Sequence, residues 1–308
     1  MNNMNSPTIS VVICTSDRGE RVVNAVESVL ANDHPAFELI VIDQSRDTAT
    51  GCVLQRFAQD RRFRYLSVRF KGWARGHNLG LRIARSPIVA ITDDDCVVPP
   101  DWLHTIEQEL QAEPWAMVLY CNVLPAPHDA DAGFVPVFQC AQRMVVHTLR
   151  DKWYLRGIGA GMAVRRDQAL AIGGFDEALG PGARFKSAAD VDIAIRAILF
   201  GGSVVGTPAT YVIHDGFRTW EEGRHLTARN WEGLGATFVK PLKVGCYRAG
   251  ILIWYELRFV LLEPLLPLLK LKRPHGLGRF VAFIRGVLRG LVHPIDRKSL
   301  TYRIESRS

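Results

Sequence analysis

The chain has 308 residues, 48% of them hydrophobic and 22% charged, without a low-complexity tract, which excludes a disordered or fibrous chain and leaves ample material for a core. Its net charge of +7 is unevenly spread: residues 1–239 carry 24 Lys+Arg against 27 Asp+Glu, and residues 240–308 carry 14 against 4. The acidic balance of the larger part speaks against a nucleic-acid groove across the molecule, and the basic, apolar tail suggests an anionic surface as partner.

Residues 1–7 are polar and lead into a β-branched run at 8–14, with no secretory pattern. The six cysteines form no CxxC pair and read as reduced, cytosolic thiols. Residues 21–31 place Val22, Val26, Val29 and Leu30 at helical spacing, and 37–42 is a second short apolar run ending in Asp43. Residues 63–68 alternate like a strand, 74–84 read as a helix, and 87–92 is a fourth strand that runs into Asp93, Asp94 and Asp95. A helix is expected over 101–112 with Asp101 as its N-cap.

Residues 125–150 have weak periodicity and read as an irregular insertion with a helix near 137–147. A Gly-rich apolar stretch at 157–165 precedes Gly173-Gly174-Phe175-Asp176, a helix over 189–200, and short strands at 203–206 and 210–214. Residues 220–232 are polar. The run 251–271 is nearly continuous hydrophobe, but Glu256, Arg258, Glu263 and Lys270 with Pro264 and Pro267 argue against a membrane span, which needs about 20 mostly apolar residues. Leu277–Val292 puts Leu277, Phe280, Val281, Ile284, Val287, Leu288 and Leu291 on one stripe with Arg279, Arg285 and Arg289 off it, the pattern of an in-plane interfacial helix.

Strands alternating with helices imply an α/β fold with a mainly parallel sheet, whose ligands bind beyond the carboxyl ends of the strands. Three strands here end in polar residues: Thr15, Ser16 and Asp17; Asp43; and the aspartate run. Three adjacent carboxylates repel one another unless a cation joins them. Mg²⁺ or Mn²⁺ takes oxygen ligands and sits between carboxylates and substrate phosphates. Alternation along an extended chain lets Asp93 and Asp95 share a ligand role while Asp94 points elsewhere. A solvated acidic turn is the plain alternative.

The order of these pieces resembles the family 2 inverting glycosyltransferases, which have the GT-A fold. The resemblance covers roughly residues 8–215. It rests on the 10–15 strand with Asp17, on Asp43, on 72–80 with Arg75 and Asn78, on the aspartate run, and on 159–165, 173–177 and Ala189-Asp190-Val191-Asp192. It implies that Thr15 and Asp17 lie near the nucleotide, that Asp43 bonds the base, uracil by preference, and that Arg75 and Asn78 flank the donor. Asp93 and Asp95 would hold the metal and the diphosphate with Asp94 beside them, Asp190 would be the catalytic base, and His214 a further metal ligand. The chain departs from the family at Ala189, where an acid is common, and at His77, where Arg is common and where phosphate binding would be pH-sensitive. Trp73, Trp102 and Trp153 are candidates for stacking on sugar rings.

The resulting expectation is a GT-A-like nucleotide-sugar-binding domain over 1–215 and a basic helical extension over 216–308. The enzyme would use a nucleotide-sugar donor, a carbohydrate or lipid-linked acceptor and a divalent metal (Mg²⁺ or Mn²⁺), peripherally at the cytoplasmic face of an anionic membrane. Two other readings stay open: a sugar-nucleotide nucleotidyltransferase, against which the glycine-poor turn Thr15-Ser16-Asp17-Arg18-Gly19 argues, and a non-catalytic membrane adaptor on the same scaffold.

Overall fold

The computed structural model describes residues 7–265 and 276–304. The first half contains β1 (Ile9–Thr15), α1 (Val23–Leu30), β2 (Phe37–Asp43), α2 (Ala49–Leu54), β3 (Phe63–Ser67), α3 (Trp73–Ile83), β4 (Ile88–Asp93), β5 (Cys96–Val97) and α4 (Trp102–Ala112). There follow β6 (Ala116–Pro125), β7 (Gly133–Phe134), β8 (Met144–Val146), α5 (Leu149–Lys152), β9 (Met162–Arg165), α6 (Arg166–Ala171) and α7 (Ala189–Leu199). The chain closes with β10 (Ser203–His214), β11 (Arg218–Thr219), α8 (Trp220–Val239), α9 (Gly250–Leu265) and α10 (Leu277–Val292).

One sheet runs in the order β3-β2-β1-β4-β9-β6-β10-β5, with β8 beside β10. The long ladders β3–β2, β2–β1, β1–β4 and β6–β10 are parallel, and the shorter ones through β9, β5 and β8 are antiparallel. β1 is a β-branched run buried on both faces, as befits a central strand covered by helices. Each fully buried Val or Ile of this kind contributes about 1.5–3 kcal/mol. α3 lies close on β1 because Gly76 and Gly80 face it: a Cβ there would stand 2.6 Å from Cys14 Sγ or from a Val12 methyl. The register pairs Thr15 with Asp43 and Cys14 with Asp93, so three strand tips end at one edge.

Three local expectations need correction. No helix forms at 137–147: Phe138 bridges Val123, and Met144–Val146 pairs with β10, whose open edge recruits the β-branched Val145 and Val146. The two strands expected at 203–214 are one, continuous across a register shift around Pro208, where proline removes a ladder donor. Asp101 stands at the N-cap of α4 but makes no side-chain capping bond.

The polar stretch 220–232 is the first part of α8, opened by a capping box in which Thr219 and Glu222 bond each other's backbone N–H. α8 packs along α10 through small residues, burying Ala282, Gly286 and Gly290 against the turn at Gly235. That choice turns part of the predicted apolar stripe outward. Phe280, Ile284 and Val287 are half-buried, whereas Leu277, Val281, Leu288 and Leu291 are exposed beside Arg285. Trp254 and Leu262 of α9 are exposed too. No helix among the described residues is long and apolar enough to cross a membrane, and residues 266–271 of the apolar run lie outside the described residues.

A buried charge cluster ties the extension to the sheet domain. Lys240 Nζ lies 2.6 Å from Asp176 Oδ2 and 2.5 Å from Asp192 Oδ1, and Arg196 donates to Asp192 and to the carbonyls of Ile172 and Gly174. The Tyr302 N–H also donates to Asp176.

Candidate active site

The strand tips open on a cavity of about 680 Å³ whose wall includes Thr15, Asp93, Asp94, Asp95, Asp190 and His214, six of the residues singled out from sequence. Four others do not line it. Asp17, in a left-handed conformation (φ 58°), accepts from the Arg46 N–H and from Lys71 Nζ at 2.9 Å, which hold its carboxyl at about 2. Asp43 is buried with its oxygens on Ser45 and on the Tyr65 hydroxyl (2.6 Å). Arg75 is half exposed, paired with Glu177 and set over Phe70. Asn78 is a structural clamp, donating to Phe175 O and Glu177 and accepting the Phe175 N–H. His77 is also outside the cavity: it stacks on Trp73 at 3.9 Å, bonds Trp73 O, and is held down to about 4 by burial.

The aspartate run divides its partners. Arg18 donates to Asp94 (3.2 Å) and to Asp95 (3.0 Å), bridging the two. Asp93 faces the Trp73 indole N–H at 3.4 Å. Burial, then the charge of Asp95, raises the Asp93 carboxyl to about 6. Asp94 is also raised by burial, against the pull of Arg18. Burial works on Asp95 in the same sense, but the hydrogen bond and charge of His214, with Arg18, outweigh it and keep that group below the usual carboxylate range.

Asp95 and His214 bring ligand atoms together that suit a divalent ion, on a wall that Asp93 shares. His214 Nε2 lies 3.4 Å from Asp95 Oδ1, and its Nδ1 donates to Pro136 O at 3.1 Å, which leaves Nε2 as the ligand atom in the neutral ring. Cys96 Sγ falls within the same 4.8 Å cluster, and burial raises that thiol well above its ordinary value; a hard ion such as Mg²⁺ or Mn²⁺ favours the oxygen and imidazole donors over a sulfur. Gly216 is required here, since a Cβ would stand 2.2 Å from His214 Nε2.

Asp190 sits in the first turn of α7, where its carboxylate accepts the N–H of Gly159 and of Val191, both at 2.9 Å. The Tyr120 hydroxyl holds its carbonyl at 2.6 Å. Ala188, just before the helix, is left-handed (φ 71°), a strained setting for a residue with a Cβ and one that recurs at functional sites. Burial raises the Asp190 carboxyl, opposed by the two N–H bonds and by Lys152. Trp73 spans the gap between the acids: its N–H meets Asp93 and its ring edge leaves no room for a Cβ at Gly159, beside Asp190. Of the other tryptophans, Trp153 lines the cavity and donates to Glu256, whereas Trp102 is fully buried in the core.

Sequence reasoning missed five cations on the wall, Arg18, Lys71, Lys152, Arg156 and Arg218. Arg18 and Lys71 adjoin motif residues, Asp17 and Gly72, and adjacency was their signal. Lys152 and Arg156 follow the aperiodic stretch 125–150 and Arg218 lies in a two-residue strand, with no pattern to mark them.

The family model of glycosyl transferase family 2 matches residues 10–166. The chain belongs to glycosyl transferase family 2. It is 25% identical over 236 residues to the glucosyl-dolichyl phosphate glucuronosyltransferase of Haloferax volcanii, covering 73% of this chain and 75% of that protein. It is 31% identical over 108 residues to glycosyltransferase GlyG of Streptococcus pneumoniae, covering 34% of this chain and 36% of GlyG. Among solved structures, a mannosyltransferase from Pyrobaculum calidifontis in complex with GDP-Man and Mn²⁺ superposes with a TM-score of 0.63 at 18% identity, over 94% of this chain and 88% of that one. S. aureus TarS 1–349 in complex with UDP-GlcNAc gives 0.62 at 17% identity, over 91% and 81%. The fold is GT-A-like, with a helical extension at its C-terminal end, and the class of reaction is sugar transfer.

Proposed function

We propose that this family 2 protein is a metal-dependent, inverting glycosyltransferase. It takes a sugar from a nucleotide-sugar, UDP-linked by preference, and places it on an acceptor hydroxyl in cell-surface polysaccharide or glycolipid synthesis. The observation that carries the reading is that the Asp93/Asp95/His214 group and Asp190 open on one cavity with Trp73 between them. A divalent ion bound by Asp93, Asp95 and His214 would neutralise the diphosphate as it departs. Asp190 accepts the proton of the acceptor hydroxyl as its oxygen bonds the anomeric carbon and the bond to the diphosphate breaks. Apart from the aspartate run, Asp190 is the one carboxylate among the described residues of this wall, so no second acid stands by as a nucleophile, and a single displacement inverts the anomeric centre.

The reading extends to location. The exposed Leu277, Val281, Leu288 and Leu291 of α10 and Trp254 and Leu262 of α9, with Arg285, Arg258 and the basic excess of residues 240–308, support docking on an anionic leaflet at the cytoplasmic face. The test of the enzyme is thermal unfolding with a panel of nucleotide-sugars, with and without Mn²⁺, followed by the anomeric configuration of the product. Stabilisation by one nucleotide family that needs the metal is expected. Indifference to every donor and to metal, or retention of configuration, overturns the reading.

A further inference from the structure

The cavity changes character on the tail side of Asp190. α8 turns Leu226, Asn230, Leu234 and Phe238 towards it, four residues apart on one helical face, and they go from half-buried at Leu226 to buried at Phe238. Ile195, one turn and a half beyond Asp190 on α7, and Leu252 of α9 complete the wall. The one polar side chain of that α8 face, Asn230, has its Oδ1 taken by the Ser187 hydroxyl at 2.8 Å. A sugar ring placed there would lose water from its hydroxyls and find few partners, whereas a hydrocarbon chain would gain by leaving water.

Where this aliphatic chamber meets Asp190 stands a buried cation. Lys152, 3% exposed, lines the cavity and, among the described residues, donates to one acceptor, Leu155 O, at 2.6 Å, out of the three donors an ammonium offers. Its neighbour Arg156 is committed, with both terminal nitrogens on the fully buried Glu256. Burial lowers the lysine to about 8, with Asp190 opposing, so it is mostly charged at neutral pH.

We infer that the tail-side half of the cavity is the acceptor subsite for an anionic amphiphile, its hydrocarbon chain lying between α7, α8 and α9 and its phosphate on Lys152, so that a hydroxyl attached beyond the phosphate reaches Asp190. The inference rests on the sugar-transfer reading and names the acceptor class for it. The α9 helix that closes the chamber with Leu252 carries Trp254 and Leu262 on its exposed side, so the chamber wall and the membrane-facing surface belong to one element.

The test uses the full chain and three probes below their micelle concentrations: decyl phosphate, inorganic phosphate and decyl maltoside, with binding followed by calorimetry. Decyl phosphate should bind about 100-fold more tightly than inorganic phosphate, from burial of its chain, and more tightly than the uncharged maltoside. Lys152→Met should weaken decyl phosphate about 10-fold, the loss of one charge-assisted bond, and Lys152→Arg should restore part of it. Leu234→Asn should weaken it as well, with thermal unfolding confirming that each variant is folded. Equal affinity for decyl phosphate and inorganic phosphate overturns the inference, and so does an affinity that neither variant changes, which would place the probe on the outer face of α10. UDP and GDP, each with Mn²⁺, are titrated in parallel: nucleotide binding without selective decyl phosphate binding sinks this inference alone, and failure of both nucleotides to bind counts against the enzymatic reading beneath it.

Discussion

At the strand tips the cavity wall is made of charges held in place by one another. Arg18 spans Asp94 and Asp95, Lys71 reaches Ser16 and Asp17, and His214 is fixed between Asp95 and a carbonyl. At the helical end the wall is aliphatic, and Lys152 is a cation bonded to one carbonyl oxygen. The first arrangement is preorganised for a ligand rich in phosphate and metal. The second selects by what it lacks, since it offers few hydrogen bonds to a polar group. On the proposed reading, one cavity holds two substrates of opposite character without exchanging them, and Asp190, on the same wall, lies at the seam.

The largest effect is expected at that seam. Asp190→Asn should lower kcat by about 10²–10⁴-fold, the usual worth of a positioned base, while leaving nucleotide binding by calorimetry nearly intact. An active Asn variant would remove the chemical meaning of the comparison. Gly216→Ala attacks the strand-tip end alone: its Cβ would crowd His214 Nε2, costing about 1–3 kcal/mol as overpacking does and weakening Mn²⁺ binding measured by electron paramagnetic resonance. The outer surface of the helical end is probed by Val281→Asp with Leu288→Asp, which should reduce co-sedimentation with phosphatidylglycerol vesicles by about 10-fold or more, given 1.5–3 kcal/mol for each buried aliphatic side chain. Activity on a soluble acceptor should persist in that variant.

Lys152→Met sharpens the seam itself. Lys152 pulls the Asp190 carboxyl down against the upward push of burial, so its removal lets that group rise further. On the proposed role of Asp190 as base, which works deprotonated, the acid limb of the kcat profile should therefore move to higher pH. A limb that stays put would separate Lys152 from the base. The smallest effect is expected at Arg75→Ala, where the side chain lies outside the cavity; a change within about 0.5 kcal/mol in stability, as for surface substitutions, and an unaltered donor affinity would confirm that placement.

The part of the fold legible in the sequence was the part with a strong local pattern. The β1 run, the β2 strand ending in Asp43 and the aspartates after β4 were visible as apolar stretches cut off by polar residues, and parallel pairing then brings their ends together. The insertion at 125–150 was opaque because its short strands are dictated by the open edge of β10 and not by their own periodicity. Asp43 and Asp17 show a subtler limit: a strand end can be located from sequence, but the neighbours its carboxylate meets, here Tyr65 and Lys71, lie more than twenty residues away. The stripe of α10 was read correctly as amphipathic, yet Gly286 and Gly290 offered a closer approach to α8 than the large side chains did, and packing followed the small residues.

The ion cluster around Lys240 has a consequence for engineering. Composition changes at residue 215, but that point is no seam along which the protein separates. Asp176 and Asp192 belong to one side and Lys240 to the other, all three almost wholly removed from solvent. Deleting the cation would leave Asp176 without a counter-charge, while Asp192 keeps Arg196, at a cost of about 3–5 kcal/mol, as breaking a buried pair does. A chimera that exchanges the helical tail to redirect acceptor choice must therefore bring a lysine of its own to the same depth.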